Sequence, residues 1–283
     1  MRSSPRKLVN VPAVGYGKRV DIPLPTGSAL EEIVLKLTDV SEAQALGIEL
    51  LLNGNPVHTT TCKHLKDVHK HNGKTAEAGR YRIGFRNKAA NNDVAQMVGI
   101  LQTLPTDILI LRLTIGAATS AQVTAGTVPG LDGYVVESKA AGGRAIIPKV
   151  FEQTIDAGGS GDKHWTDFPK GALIQQMYID SEYVTNFKVL INGVERFNLS
   201  KEDNDANLIV AKKLPLTGMY VFNPVAEGFA LADALQTAGA SKLEFVFTTT
   251  QACQIPVTFH VLESAAGATA DAGAVLTLPN PYK

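Results

Sequence analysis

Residues 48–54 read IELLLNG, and residues 187–193 read FKVLING. Each segment is a mainly apolar run that ends in an Asn-Gly pair, which is the strongest short-range signal for a β-hairpin. The two pairs stand 139 positions apart (54 to 193) in a chain of 283 residues. Because this spacing is close to half the chain, it indicates that one domain occurs twice.

The order of predicted elements is also the same in the two halves. A helical stretch follows each hairpin, and then a strand whose leading glycine lies 25 residues after the turn glycine (54 to 79, 193 to 218). Each half continues with a short amphipathic segment, predicted to be helical, that ends Leu-Gln-Thr at 101–103 and at 235–237. We place the boundary in the segment 116–144, which is rich in Ala, Gly, Ser and Thr, and predict two domains, 1–143 and 144–283.

Alternation of apolar and polar residues dominates the predicted strands. In the segment 79–86, Tyr81, Ile83 and Phe85 share one face, and arginines take the other. Strands with one buried face, joined by turns, are typical of antiparallel sheets, and helical signals are few and short. Each half offers roughly eight strands, the number found in two packed sheets of four. We therefore predict an all-β chain of two tandem eight-stranded jelly-roll β-sandwiches with short helical insertions.

Composition limits the classes of function. The chain has 27 basic and 27 acidic residues, so no global field would recruit nucleic acid, and we predict no direct nucleic-acid partner. No segment reaches the ~18 apolar residues of a membrane-spanning helix, and the basic N-terminus leads into no signal peptide, which predicts a soluble chain made in the cytoplasm. The two cysteines, Cys62 and Cys253, are predicted to be buried or idle thiols rather than a disulfide framework.

Metal-ligating residue types cluster in the first half: Cys62, His64, His69 and His71, with His58 close by. Cysteine and histidine are zinc ligands, and His69 and His71 together with Glu77 faintly resemble a cupin metal motif. The cluster is also rich in lysine, and residues two apart on a helix point in different directions. We therefore interpret it as a solvated helix face, with metal binding as the alternative.

An acidic run is a second, weak candidate for a cation site. Glu202, Asp203 and Asp205 could supply oxygen ligands to calcium, although they lack the ligand spacing of an EF-hand loop. Acidic residues also interact favourably with the N-terminus of a helix, and Ser200 with Asp203 resembles a capping box there. We predict that no cofactor is required and that structural calcium, held between subunits, is the candidate cation.

Motifs for catalysis are missing from the sequence. It has no Gly-x-Ser-x-Gly elbow and no phosphate-binding loop, so we predict no catalytic residues and no enzyme activity. Trp165, the one tryptophan, is predicted to plug the end of a sandwich rather than to stack on a sugar. The basic N-terminal arm, with Arg2, Arg6 and Lys7, is a candidate contact with an anionic surface. The C-terminal tail, from residue 265 onward, is predicted to be either an arm on a neighbour or a disordered end.

Short stretches spread over most of the chain carry a family signal. In the first half they are Met1-Arg2-Ser3, the run VDIPLP at 20–25 with Gly27, and the strand at 33–38. In the second half they are Phe151 with Gln153, the Gly-rich loop at 158–161, and Asp167 with Pro169 and Gly171. In their order, length and duplication these stretches resemble the corticovirus-type viral coat proteins.

The resemblance implies the major capsid protein of a tailless icosahedral bacteriophage with an internal membrane. Trimers of such a protein form pseudo-hexagonal capsomers, so the implied partners are the chain itself, other capsid and vertex proteins, and the membrane proteins and lipids of the virion. It also implies structural calcium, and location in the virion capsid after synthesis in the bacterial host cytoplasm. Two alternatives stay open: a non-enzymatic receptor- or sugar-binding double β-sandwich, as in a viral spike, and a bicupin-type metalloprotein.

Overall fold

The computed structural model of the chain describes residues 3–9, 11–88, 90, 93–140 and 143–265, which fold into two β-sandwiches. The elements of the first are β1 (Ser4–Lys7), β2 (Arg19–Leu24), β3 (Ser28–Thr38), β4 (Ala45–Leu52), β5 (Asn55–Thr60), α1 (Cys62–His71), β6 (Arg80–Gly84), α2 (Asp93–Met97), β7 (Leu101–Gln102), β8 (Leu109–Ile115), α3 (Ser120–Ala125) and β9 (Gly130–Lys139). Those of the second are β10 (Ile146–Ala157), β11 (Gly161–Trp165), β12 (Leu173–Ile179), β13 (Val184–Ile191), β14 (Val194–Ser200), α4 (Lys201–Val210), β15 (Tyr220–Phe222), β16 (Leu235–Gln236), β17 (Leu243–Thr249) and β18 (Cys253–Ser264).

Both sandwiches have the strand order of a jelly roll. In the first, one sheet runs β1-β9-β3-β6, with β7 also paired to β3, and the other runs β2-β8-β4-β5. In the second, the corresponding sheets run β10-β18-β12-β15, with β16 also paired to β12, and β11-β17-β13-β14. Each domain thus fills eight strand positions, the sixth being split into two short strands. The predicted fold class is confirmed.

The two Asn-Gly pairs form equivalent turns. Asn53 and Gly54 have φ of 52° and 82°, and Asn192 and Gly193 have φ of 53° and 78°, as a two-residue type I′ hairpin requires. Asn53 Oδ1 accepts a hydrogen bond from the backbone nitrogen of Ile108 at 2.8 Å. Asn192 Oδ1 accepts one from the backbone nitrogen of Lys242 at 3.0 Å. Each turn is therefore tied to the residue just before the same later strand, β8 or β17.

The two cores have different chemistry. The first is mainly aliphatic, and in β8 buried and partly buried residues alternate, with four inward residues at no more than 2% exposure: Leu109, Leu111, Leu113 and Ile115. The second is rich in aromatic residues, of which five are 0% exposed: Phe187, Tyr220, Phe245, Phe247 and Phe259. As predicted, Trp165 packs on a sandwich core, with its ring 5.7 Å from those of Phe245 and Phe259.

The helix predicted before the first Leu-Gln-Thr segment is present as α2, but it ends at Met97. The helix predicted before the second segment is wrong, because no helix lies among the described residues between β15 and β16, and both Leu-Gln-Thr segments begin in short strands, β7 and β16. Thr103 Oγ1 donates to the carbonyl of Ser28 at 2.8 Å, and Thr237 Oγ1 donates to that of Ala172 at 2.7 Å. These bonds fix each segment beside the edge of β3 or β12. In the first half, α2 ends before Gly99, where a Cβ would lie 2.7 Å from the carbonyl oxygen of Phe85. The backbone there approaches its neighbour too closely for a continuing helix with ordinary side chains.

Much of the segment 116–144 is structured rather than a linker, since it contains α3 and β9. Its small residues have a packing role: a Cβ at Gly133 would lie 2.4 Å from the carbonyl oxygen of Val34 on the neighbouring strand. The connection between the sandwiches runs from the end of β9 to the start of β10. Arg144 in this connection forms an ion pair with the buried Asp107 at 2.6 Å.

One sheet continues from the first domain into the second. β5 pairs in parallel with β10, with Val150 opposite His58, so that nine strands form a single sheet through both sandwiches. The periodicity of the sequence does not predict this pairing, because β5 and β10 each also pair with a strand of their own domain. In the described part of the chain, no helix has the length and apolar character needed to cross a bilayer.

The seam between the two jelly rolls as the candidate functional site

The two domains meet at a contact that we call the seam. It is formed by helix α1 of the first domain and by β12, β18 and the segment after α4 of the second. Thr61 caps the helix, since its hydroxyl accepts from the backbone nitrogen of His64 at 3.1 Å. His64 and Leu65 are buried, and His71 at the other end is 0% exposed. The predicted solvated helix face is therefore wrong for these residues. Lysines made the segment look solvated, but they alternate with residues that face inward.

A pair of histidines bonds across the seam. His64 Nε2 of α1 lies 2.8 Å from His260 Nε2 of β18. The ring of Tyr178, from β12, packs edge-on against His64 with 4.8 Å between centroids. Because a hydrogen bond between two ring nitrogens needs one donor and one acceptor, the pair holds a single proton between them.

His71 joins the same two domains with both ring nitrogens. Nδ1 donates to the carbonyl oxygen of Leu214 at 2.8 Å, and Nε2 accepts from the side-chain amide of Asn223 at 3.0 Å. This pattern assigns the neutral form protonated on Nδ1. The backbone nitrogen of Leu214 also donates to the carbonyl oxygen of His71 at 2.8 Å. The end of α1 is thereby fixed to the segment that follows α4.

Burial keeps the seam histidines neutral. It lowers the pKa of His58 to about 3, and the pKa values of His64 and His71 to about 4. It lowers the pKa of His260 well below the usual range, helped by the charge of His64. An ion pair between Lys63 and Asp180, at 2.7 Å, bridges the two domains in a more exposed position. The seam thus combines a neutral interior with a charged contact outside it.

The cupin-like residues do not come together. His71 bonds to Leu214 and Asn223, whereas His69 lies on another face of α1. Partial burial, and then the charges of Lys74 and Arg82, lower the pKa of His69. Cys62 is a buried free thiol whose pKa burial raises to about 12, which keeps it protonated. Across the described ranges, no three His, Cys, Asp or Glu side chains are grouped as metal ligands would be.

The acidic run opens helix α4. Ser200 is the N-cap, as predicted, and its hydroxyl donates to an Asp203 carboxylate oxygen at 2.7 Å. Asp205 pairs with Lys201 at 2.8 Å, while Glu202 is exposed. The three carboxylates therefore do not converge within one chain. Calcium held between subunits stays a prediction, because a second copy would have to supply the remaining ligands.

The predicted N-terminal arm is a strand of the first jelly roll. β1 pairs antiparallel with β9, and Arg6 and Lys7 are exposed within it. Lys7 lies 3.6 Å from Asp132 of β9. Arg2 lies outside the described residues, as does the tail beyond residue 265. A membrane-facing role for Arg6 and Lys7 stays a prediction, but it would belong to a sheet edge and not to a free arm.

Two protein families match the chain in succession. The N-terminal domain of viral coat protein P2 matches residues 5–134, and the C-terminal domain of viral coat protein P2 matches residues 147–265. The chain belongs to the P2 family of viral coat proteins. It is therefore a coat protein of the double jelly-roll type, which forms the virion capsid. A sequence search of curated proteins finds no match.

Solved structures share the fold of this P2-family chain. The major capsid protein P2 from bacteriophage PM2 has a TM-score of 0.85 at 19% identity, and the match covers 95% of this chain and 100% of that one. The STIV MCP has a TM-score of 0.68 at 11% identity, covering 95% and 100%. The PBCV-1 virus capsid has a TM-score of 0.63 at 10% identity, covering 95% and 97%. At these identities the likenesses establish a shared fold.

Membership in the P2 family selects the first of the three predicted functions, the major capsid protein. Sequence reasoning did not find the seam, the feature that orients the two jelly rolls. Its key contact joins residues 196 positions apart, His64 and His260, and no local pattern reports such a pair. One feature of the sequence does distinguish α1. At the positions of its histidines and lysines, the equivalent helix α4 has acidic and apolar residues.

Proposed function

We propose that this coat protein forms trimers in which six jelly rolls make a ring, and that these trimers are the pseudo-hexagonal capsomers of an icosahedral shell around an internal membrane. The observation that carries the proposal is a matched pair of sheet edges. Within one chain, β5 of the first domain pairs with β10 of the second. The reciprocal strands, β14 of the second domain and β1 of the first, both end their sheets. A neighbouring copy can therefore join β14 to β1 as the chain itself joins β5 to β10.

The helices that follow β5 and β14 support the same contact. α1 and α4 each have ten residues and begin 139 positions apart (62 to 201). His71, the last residue of α1, is 0% exposed in the seam, whereas its counterpart Val210 on α4 is 81% exposed. Ile209 beside it is 61% exposed. These apolar residues of α4 are exposed at the position where α1 is buried against the other domain. A neighbouring subunit would cover them.

Charge complementarity agrees with this geometry. On α1, Lys63 bonds across the seam, and its counterpart on α4 is the exposed Glu202, followed by Asp203. The open strand β1 carries the exposed Arg6 and Lys7. Opposite charges on the two surfaces would favour α4 of one copy meeting β1 of the next.

The remaining parts of the proposal concern the virion. The coat protein acts without enzyme activity, is made in the cytoplasm of a bacterial host, and meets vertex proteins, membrane proteins and membrane lipids in the assembled particle. Its 27 basic and 27 acidic residues support assembly without direct contact to nucleic acid.

Solution mass tests the trimer. Three chains of 30.1 kDa give about 90 kDa, and we expect light scattering to find that mass at moderate protein concentration. Replacing Val210→Asp places a charge in the proposed contact, so this variant should be a monomer with an unchanged circular dichroism spectrum. The matched control is Val123→Asp on α3, where the native side chain is 69% exposed.

The control variant should remain a trimer. A wild-type chain that stays a monomer at all concentrations would overturn the proposal. A trimer that forms equally well with Val210→Asp would instead reject the α4 contact while keeping the trimer.

A further inference from the structure

A cleft of about 380 Å³ lies between the two domains, beside the seam. Its walls come from α1 and the segment after β6 in the first domain, and from β10, β12 and β18 in the second. Capsid assembly as proposed above uses the opposite edges, β14 and β1, and gives this cleft no task. Its side chains have a pattern that points to a ligand.

Positive charge exceeds negative charge in the cleft. Its basic residues are Lys74, Arg82, Arg86, Lys88, Lys149 and Lys213, against Glu31 and Glu32. Glu31 lies 3.2 Å from Arg86, and Glu32 lies 3.2 Å from Arg82 and 3.6 Å from Lys88. Lys149 pairs at 2.5 Å with Glu263 outside the cleft. In the described part of the chain, Lys74 and Lys213 have no carboxylate within 4.0 Å.

Lys213 is the unusual member of this group, because it is only 8% exposed. Its ammonium group donates to the side-chain oxygen of Asn72 at 2.8 Å, which leaves two of its three donors for another acceptor. Burial, and then the charge of Lys74, lower the pKa of Lys213. A buried cation without an anionic partner is unfavourable, so a bound anion would stabilise this arrangement.

Two further polar atoms at the cleft have no partner among the described residues: Arg86 Nε and His58 Nε2. His58 is 5% exposed, so its free nitrogen is not available to bulk water. Apolar side chains complete the lining, including Val150, Val225 and Leu262. Apolar walls with a few convergent polar groups are the usual composition of a small-molecule site.

We propose that the cleft binds an anionic amphiphile, whose carboxylate or phosphate head meets Lys213 and whose apolar body lies against Val150, Val225 and Leu262. The excess of positive charge in the cleft favours a ligand with an anionic head. The apolar wall favours a ligand with an apolar body over a bare inorganic ion. Because the cleft has walls from both domains, the ligand would hold them together and raise the stability of the chain.

Calorimetric titration with decanoate tests this site. We expect saturable binding at one molecule per chain, together with an upward shift of the melting temperature. Lys213→Gln should weaken decanoate binding at least about tenfold, because a charge-assisted hydrogen bond is lost. Lys212→Gln is the matched control: it removes the same charge from the exposed neighbouring position, and binding should not change.

Three further measurements make the result decisive. Lys74→Gln, at an exposed position, should weaken decanoate binding less than Lys213→Gln, and it serves as the test if the buried variant does not fold. Decanol should bind more weakly than decanoate, and inorganic phosphate alone should bind weakly. The proposal fails if decanoate does not saturate, if Lys213→Gln binds like Lys212→Gln, or if decanol or phosphate binds as tightly as decanoate. None of these readouts depends on trimer formation, so this inference and the proposed function can fail separately.

Discussion

His64 and His260 face each other across the seam with their Nε2 atoms 2.8 Å apart, so the two domains share one proton at their contact. Their neighbours are His58, His71 and Tyr178, with Lys63, Asp67, Asp180 and Lys213 as the surrounding charged groups. The two carboxylates among these groups, Asp67 and Asp180, are only partly buried, and Asp180 is paired with Lys63. Acid is therefore the condition under which this contact is expected to weaken.

We predict that the free energy of unfolding falls as the pH drops from about 6.5 to about 4. The folded-state pKa values of His58, His64 and His71 lie at about 3, 4 and 4, below the value of 6.5 for an exposed histidine. In this window the unfolded chain binds protons that the folded chain does not, so stability present above pH 6.5 is lost on acidification. Each such histidine contributes up to about 1.4 kcal/mol per pH unit.

Thermal unfolding between pH 7.5 and pH 4.5 measures this loss, which we expect to be on the order of 5–10 °C in melting temperature. The double variant His64→Gln/His260→Gln removes two of the titrating groups, and its melting temperature should fall less steeply over the same range. His164→Gln, in β11 away from the seam, is the control. Equal slopes for the double variant and the wild type would contradict a titrating seam.

Gly79 and Gly218 provide a matched pair for testing backbone requirements, because they lead equivalent strands in the two domains. Both have positive φ, 67° and 73°, so alanine at either position should cost about 1 kcal/mol for the left-handed conformation. A Cβ at Gly79 would also lie 2.6 Å from the carbonyl oxygen of Leu37, whereas Gly218 has no neighbour within 4 Å.

Urea unfolding should therefore show a larger loss in the free energy of unfolding for Gly79→Ala than for Gly218→Ala. The additional loss should be about 1–3 kcal/mol, the usual cost of a strained backbone contact. Equal losses would mean that Leu37 of β3 moves away from residue 79 at little cost.

Local chemistry explains how much of this fold the sequence predicts. The Asn53 and Asn192 turns and the alternation in β8 depend on neighbouring residues, so periodicity and turn propensity were sufficient for them. Helix α1 was misjudged because its lysines suggested solvent on every side. In the structure, Lys63 and Lys66 pair with acidic residues elsewhere, Asp180 and Glu42, and the intervening face packs into the other domain.

Calcium between subunits yields a separate prediction. Glu202 and Asp203 lie on the part of α4 that the proposed trimer would bring to a neighbour, where ligands from two chains could complete a site. EDTA should then lower the melting temperature of the trimer but not that of the Val210→Asp monomer. Glu202→Gln should remove this sensitivity, while Glu152→Gln, an equal charge change on β10, should keep it. A trimer indifferent to EDTA would reject the site.

Two roles are predicted for Arg6 and Lys7, and one charge variant can distinguish them. As part of the open strand β1 they would face the acidic end of α4 on a neighbouring copy, and as a membrane contact they would face lipid headgroups. The double variant Arg6→Gln/Lys7→Gln retains the strand, whose pairing with β9 uses the backbone, and removes both charges.

If the subunit contact is correct, the double variant should form less trimer, most clearly at low salt, and bind anionic vesicles as well as the wild type does. If the membrane contact is correct, trimer yield should stay constant while vesicle binding weakens by about 1 kcal/mol per charge removed. Deleting residues 1–7 cannot separate these roles, because it removes the whole strand and exposes the edge of β9. The charge variant, measured by light scattering and by vesicle sedimentation, distinguishes them.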